Sequence, residues 1–284
     1  MLLITPELAS LLADSIKRFP EDSLTTLQEI DVWYQLAQDY PTLKQIADLA
    51  FQVLDEQGFV HIKGLPTTEA TKLFPALGCL IGKLFIDPFE ESAIIKAHVS
   101  SKQSLMGNQL RCLPMHTDYS MAAEPPQYTM SLCIEPDPTT DLGNVLISDV
   151  EAACFGVETA PDFERFHTIP LPFAARNANG NPDLLESPII SRNAPDGGIL
   201  VRYHRSRIRQ GFILQNQEPT PEQSSMIIAF EQLATRSAQT IQLQSGDMLI
   251  IDNHRCVHAR TRCSIQVNKE GETKGRKMHF LFAH

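Results

Sequence analysis

From about Ile94 to the C-terminus the apolar residues come in short runs separated by turn residues, and this rhythm constrains the fold more than any other feature. The runs cover residues 127–134, 144–149, 198–203, 240–243, 248–252 and 277–283. Each is the length of one strand, and the spacing is that of an all-β sandwich or barrel rather than of βαβ units.

The period changes upstream. Between Pro6 and about Asp55, the positions Leu43, Ile46, Ala47, Leu49, Ala50 and Val53 recur at helical spacing, with Pro20 and Pro41 as punctuation. The segment predicts two or more helices. Gly58 closes the last of them, and Phe59-Val60-His61-Ile62-Lys63 has the β-branched alternation of a strand that stops at Gly64-Leu65-Pro66. A second helical stretch over 69–84 follows from Ala70, Leu73, Phe74, Leu77 and Ile81. One helix interrupts the β region at 221–237, with Thr220 as N-cap, Glu222 and Gln223 in the first turn, and Met226, Ile227, Phe230 and Leu233 as its packing face. There is no internal repeat or low-complexity tract. We expect one mainly β domain over 1–284 with flanking helices (α+β), in which 1–57 is a helical portion packed on the β core.

A net charge of -10 without a dense Lys/Arg run argues against a nucleic-acid partner, because phosphate binding needs a basic patch. The first residues lack a basic start, a long apolar run and a cleavage site, and no stretch reaches the roughly 20 apolar residues of a membrane span. The expectation is a cytoplasmic protein with a small-molecule partner and no membrane contact; a homodimer is left open. Cys79, Cys112, Cys133, Cys154, Cys256 and Cys263 form no C-x-x-C pair, so they read as reduced thiols rather than a zinc ribbon or redox motif.

Two strings carry chemistry. In Leu113-Pro114-Met115-His116-Thr117-Asp118 an imidazole and a carboxylate stand two residues apart, which on a strand puts both on one side. Alone, His-x-Asp is common. About 140 residues later comes Gly246-Asp247-Met248-Leu249-Ile250-Ile251-Asp252-Asn253-His254-Arg255-Cys256-Val257-His258-Ala259-Arg260, a turn, an apolar strand, a polar corner and a histidine. Two histidines and one carboxylate form the facial triad that leaves coordination positions open on a non-haem iron, whereas zinc favours a closed tetrahedral set, often with cysteine. A third string, Lys274-Gly275-Arg276-Lys277-Met278-His279-Phe280, puts Arg276 at the head of the last strand, where a planar guanidinium can clamp a carboxylate.

The order His-Thr-Asp, then Asp-Asn-x-Arg-x-x-His-x-Arg, then an arginine near the last strand resembles the Fe(II)/2-oxoglutarate-dependent dioxygenases, in particular the TauD and clavaminate synthase-like branch. The Gly58–Pro66 string and the strand from Pro126 to Cys133 are similar too, so the resemblance spans 58–282 and leaves the first fifty or so residues outside. It implies a double-stranded β-helix, a jelly-roll core of the cupin type. It implies that His116, Asp118 and His258 hold Fe(II), that Arg276 binds the distal carboxylate of 2-oxoglutarate, and that this cosubstrate and O2 are consumed in hydroxylating a small molecule, with succinate and CO2 released. Relatives that halogenate have a small residue in place of the carboxylate, so Asp118 favours hydroxylation or a related oxidation such as desaturation or cyclisation.

Two departures from the family pattern stand out. Val145 occupies the place of a threonine that bonds 2-oxoglutarate in many relatives, with Asn144 beside it as a substitute contact, and the interval from His258 to Arg276 is long. Arg260 and Arg262 compete with Arg276, Arg260 matching a recurrent family arginine that reads as structural. His254 reads as a variable position rather than a ligand, and His61, His98, His167, His204, His279 and His284 as satisfied or exposed. Asn108 and Gln109, in the stretch Met106-Gly107-Asn108-Gln109-Leu110, resemble the substrate-lining segment of amino-acid hydroxylases, and Arg202 is a further candidate substrate contact; the branch implies an amino-acid-like or natural-product substrate. Two other classes remain open at this point: an iron-binding jelly-roll sensor without turnover, and a cupin-type oxygenase that uses no 2-oxoglutarate.

Overall fold

Strand β1 (Leu2–Leu3) leads into helices α1 (Pro6–Ser15), α2 (Leu27–Gln38) and α3 (Pro41–Gln57), then β2 (Phe59–Lys63) and α4 (Ala70–Ile81). These coordinates are a computed structural model that describes residues 1–20, 24–87, 90–100, 108–154, 161–176, 182–192, 198–267, 269 and 273–284. Strands β3 (Ile95–His98), β4 (Leu113–His116), β5 (Tyr128–Glu135) and β6 (Val145–Asp149) follow, then short helices α5 (Val150–Cys154) and α6 (Pro161–Thr168). The middle of the chain holds a hairpin, β7 (Leu171–Arg176) and β8 (Pro182–Ser187), the short strands β9 (Ile190–Ser191) and β10 (Leu200–Val201), and helices α7 (Arg205–Leu214) and α8 (Pro221–Ser237). The C-terminal part is β11 (Gln239–Ile241), β12 (Met248–Asp252), β13 (Cys256–Arg260), β14 (Ile265–Val267), β15 (Thr273–Gly275) and β16 (Lys277–Ala283).

Six strands in the order β1-β2-β12-β5-β16-β3 form one sheet, and four in the order β11-β6-β13-β4 form the other. Together they make the jelly-roll core. The strict period of two assigns each strand two jobs. In the six-stranded sheet Val60, Ile62, Met130, Leu132, Met248, Ile250 and Leu281 face outward into one core with Leu12, Trp33, Leu43, Ile46, Leu73 and Leu77 of the first four helices. Their neighbours Phe59, Cys133, Leu249, Ile251 and Met278 face inward and meet Val145, Ile147, Ile241 and Cys256 of the four-stranded sheet. The outer face of that second sheet is covered by α8 and α7, where Val257, Ala259 and Met115 pack with Met226, Phe230, Ile208 and Phe212. Strands with both faces covered carry near-continuous apolar runs, which is why they are legible in the sequence.

The switch from helix to sheet turns on Gly58, whose φ of 72° places it in the left-handed region. A Cβ there would come within 2.6 Å of the Cys256 sulfur, so only glycine lets α3 end against β13 and release the chain into β2.

The predicted helices at 69–84 and 221–237 appear as Ala70–Ile81 and Pro221–Ser237, the latter with Thr220 and Gln223 forming a reciprocal cap at 3.1 Å and 3.0 Å. Its packing face differs by one position: Ala234 is buried and Leu233 only partly so. The run at 198–203 shrinks to a two-residue strand, Leu200–Val201, and continues into α7, a helix the sequence analysis misses. Its ten residues include three arginines and a glycine, and only Ile208, Gly211 and Phe212 are buried, so neither propensity nor periodicity marks it. The long interval between His258 and Arg276 contains the hairpin β14–β15, in which Ile265 pairs with Gly275 and Val267 with Thr273. No helix among the described residues is long and apolar enough to cross a membrane.

Candidate metal centre

Strands β4 and β13 are antiparallel neighbours, and their register sets His258 directly opposite His116. Because alternate residues face opposite ways, Met115, Val257 and Ala259 join the outer core while the two imidazoles enter the sandwich, ring centroids 4.3 Å apart. Asp118 stands two residues beyond His116. Its Oδ1 is 3.7 Å from His116 Nε2 and its Oδ2 is 3.4 Å from His258 Nε2. The three donor atoms lie within 4.8 Å of one another, and no other such group of His, Cys, Asp or Glu occurs among the described residues.

Hydrogen bonds fix two of the three donors, His116 and Asp118. His116 Nδ1 lies 2.9 Å from the Pro114 carbonyl, which can only accept, so Nδ1 carries the hydrogen and Nε2 offers its lone pair to the centre. Burial, then the neighbouring His116, pushes the His258 imidazole down to about 4, which keeps it neutral and able to ligate near neutral pH. Asp118 is held at both ends. Its main-chain N–H donates to Asn253 Oδ1 at 2.8 Å, its carbonyl accepts from Asn253 Nδ2 at 3.1 Å, and its Oδ2 accepts from the Thr129 hydroxyl at 2.8 Å. Thr129 and Asn253 were not singled out as site residues; the only signal was the polar Asp-Asn corner before His258. Thr129→Val, which keeps the side-chain shape and removes the donor, is expected to weaken iron affinity by roughly 10- to 100-fold, the usual cost of losing an outer hydrogen bond. Titration of iron into the apoprotein reads this, and an unchanged affinity would remove Thr129 from the centre.

The donors open into a cavity of about 410 Å³, of a size that holds small organic ligands. Leu249, Ile251, Phe280 and Phe282 give it apolar walls, and Val145 and Arg276 also line it. Arg276 is 6% exposed. No hydrogen-bond acceptor or carboxylate among the described residues pairs with its guanidinium, and burial works against its charge. Its aliphatic stem rests against Gly143, where an added Cβ would sit 3.0 Å from Arg276 Cδ and where φ is 68°. A buried cation on a cavity wall, with Asp137 near it but no direct ion pair among the described residues, fits an anionic ligand, and an acceptor-rich, cysteine-free donor set fits a non-haem iron.

The remaining candidates divide. Asn108 lines the cavity; Gln109 does not, and its carbonyl accepts from Arg260 at 2.6 Å. Met106 and Gly107 lie outside the described residues. Asn144 is absent from the cavity wall, its Nδ2 donating to the Asp141 carbonyl at 3.1 Å. Arg260 also donates to the Arg111 carbonyl at 2.7 Å and so ties down the segment before β4. Arg202 stands apart from that wall. Its guanidinium donates to the carbonyls of Ser120, Ala122 and Ala123 at 3.1, 2.5 and 2.6 Å, and it stands outside the cavity that the triad borders. These bonds brace the turn after Asp118. Arg202→Leu is expected to cost about 2–4 kcal/mol, because the buried Ser120 carbonyl and the part-buried contacts to Ala122 and Ala123 lose their donor, and urea unfolding measures it.

His254 Nε2 donates to the Pro125 carbonyl at 3.0 Å and stays away from the metal-centre donors. His204, by contrast, lines the cavity with its ring 5.3 Å from that of His116, and burial, then His116, pushes it down to about 3. Tyr119 also lines the cavity. It adopts φ 51°, a conformation uncommon outside glycine, and its hydroxyl donates to Asp87 while its ring packs edge-on against Phe85 and Phe282 at 5.1 and 4.9 Å. Strain of this kind, on the order of 1 kcal/mol, persists where surrounding structure demands it; here it directs the chain away from Asp118 along the cavity wall.

The model of the taurine catabolism dioxygenase TauD, TfdA family matches residues 24–280. The match starts well before Gly58 and takes in α2 and α3, so the likeness reaches further upstream than the motifs suggested. Among solved structures, an asparagine oxygenase in complex with Fe(II), 2S,3S-3-hydroxyasparagine and succinate is 13% identical with a TM-score of 0.76, over 99% of this chain and 93% of that one. The non-heme iron oxygenase OrfP in complex with Fe and alpha-ketoglutaric acid is 15% identical with a TM-score of 0.74, over 99% and 93%. The same oxygenase with Fe, succinate and (3S)-hydroxy-L-Arg gives 16% and 0.74 over 100% and 93%. At these identities the likeness is one of fold. No curated protein matches the sequence.

Proposed function

This chain belongs to the TauD/TfdA dioxygenase family, and from that premise we propose that it hydroxylates an unactivated C–H bond of a small, amino-acid-like molecule. As a family member it is an Fe(II)- and 2-oxoglutarate-dependent dioxygenase. The observation that carries the finer reading is the convergence of His116, Asp118 and His258 on one cavity that also holds the unpaired Arg276.

In this reading His116, Asp118 and His258 hold the iron and leave positions free for cosubstrate and O2. With iron bound, O2 would be the four-electron oxidant, two electrons coming from the oxidative decarboxylation of 2-oxoglutarate to succinate and CO2 and two from the substrate C–H, with one oxygen atom going to each product. Arg276 clamps the distal carboxylate of 2-oxoglutarate, a task suited to a planar two-pronged donor. Val145 presents an apolar wall where a hydroxyl would add a contact, so this protein relies more heavily on the arginine. Thr129 and Asn253 keep Asp118 oriented, and Leu249, Ile251 and Phe282 keep water from the reacting centre. The small-molecule class is supported by the cavity volume and by the hydroxyasparagine and hydroxyarginine bound in the fold relatives.

The test is incubation of the iron-loaded protein with 2-oxoglutarate, labelled O2 and free L-amino acids, with mass analysis of products. A product heavier by one labelled oxygen, formed with succinate, supports hydroxylation. A product lacking two hydrogens would replace hydroxylation by desaturation, and no succinate under any condition would overturn the reading.

A further inference from the structure

The cavity holds a second cation whose role the metal centre does not explain. Arg207, in the first turn of α7, lines the same cavity as the triad and His204. Its main-chain N–H bonds the His204 carbonyl at 2.9 Å, but its guanidinium has no hydrogen bond or ion pair with any described residue. Burial disfavours its charge. The other cations bordering the cavity have explanations. Arg260 is spent on the carbonyls of Gln109 and Arg111, and Arg276 is assigned to 2-oxoglutarate. Lys96 is exposed, and a solvated ammonium gains little from a carboxylate.

The charge balance of the loaded site points the same way. The two positive charges of iron and the one of Arg276 are met by Asp118 and the 2-oxoglutarate dianion. Arg207 is left over. Asp87, which accepts from the Tyr119 hydroxyl and the Glu90 N–H, and the exposed Glu90 border the cavity from another segment and make that side acidic, the opposite of the Arg207 side.

We propose that Arg207 is the substrate-reading residue, holding a carboxylate of a zwitterionic substrate so that the molecule lies between α7 and the metal centre. The assignment rests on the oxygenase reading above and narrows it: substrates of this protein are free acids, and their carboxamides are excluded. A bidentate guanidinium to carboxylate contact supplies both orientation and selection, because an amide leaves one N–H facing N–H.

The test uses the iron-loaded, full-length protein with the twenty common L-amino acids and their carboxamides, reading substrate-stimulated succinate formation. The expected result is stimulation by at least one acid and not by the matching carboxamide. Arg207→Gln raises KM for that acid roughly 10- to 100-fold, the range for losing a hydrogen bond to a charged group, with a smaller change in kcat. Arg207→Lys restores part of the affinity, which a merely structural role would not do. Formation of the visible iron and 2-oxoglutarate complex, measured on the same samples, reports the oxygenase reading separately. If that complex forms but no acid stimulates turnover, or an acid and its amide stimulate equally, or Arg207→Gln leaves KM unchanged, the assignment to Arg207 is overturned while the oxygenase reading stands.

Discussion

Asp118→Ala abolishes turnover and weakens iron binding by more than about 100-fold, with little change in overall stability. Losing a partner that merely orients a ligand costs a metal site about 10- to 100-fold, so losing the ligand itself must cost more. The remaining histidines cannot compensate. His116 and His258 stay opposite each other on β4 and β13, but two neutral donors without the carboxylate provide neither the charge nor the third point that fixes a facial arrangement. Removal of the carboxylate also strands the Thr129 hydroxyl. The fold survives because Asp118 lies after β4 and outside the hydrophobic clusters, and far-ultraviolet circular dichroism checks this directly. Full hydroxylation by a folded Asp118→Ala protein would remove the carboxylate from the proposed ligand set.

Arg276→Leu separates binding from stability with opposite signs. Truncating one partner of a buried charge pair costs about 2–5 kcal/mol, so 2-oxoglutarate affinity should fall by between roughly 30-fold and several thousand-fold. Without cosubstrate, however, this guanidinium is a buried charge with no direct ion pair among the described residues, and replacing it with an apolar side chain should leave the protein as stable or more stable by on the order of 1 kcal/mol. Thermal unfolding with and without 2-oxoglutarate reads both effects. The original protein gains stability with cosubstrate concentration, and the variant starts at least as high and gains only at far higher 2-oxoglutarate. A variant that is less stable alone, yet still stabilised by 2-oxoglutarate, would mean that Arg276 supports the fold and that another group takes the carboxylate.

The strands and the ligand candidates were legible for one reason. Residues buried on both faces of a strand cannot hide, and β12 and β16 read as apolar runs because α-helices cover one face and the second sheet the other. His-x-Asp was expected to share one face of a strand, but β4 ends at His116 and Asp118 sits in the turn beyond it; only the register of β4 against β13 brings His258 to His116, and 142 residues separate those positions. Spacing alone carries no such information. The structure parts from the sequence where a side chain's partner is a distant carbonyl. Arg202, a candidate substrate contact, binds the turn at Ser120–Ala123, and Arg207 was passed over inside a helix whose arginines mask its periodicity. Thr129 was unremarkable in an apolar run until β5 was placed beside Asp118.

The central claim is that His116, Asp118 and His258 hold iron in a cavity where Arg276 receives 2-oxoglutarate. It is tested most directly by adding Fe(II) and then 2-oxoglutarate to metal-free protein under anaerobic conditions and recording the visible spectrum. The account predicts a charge-transfer band that appears only when both are present, is lost in His258→Ala, and in Arg276→Leu requires far higher 2-oxoglutarate. Tight iron binding with no band at any 2-oxoglutarate concentration, or a band undiminished in His258→Ala, would contradict it.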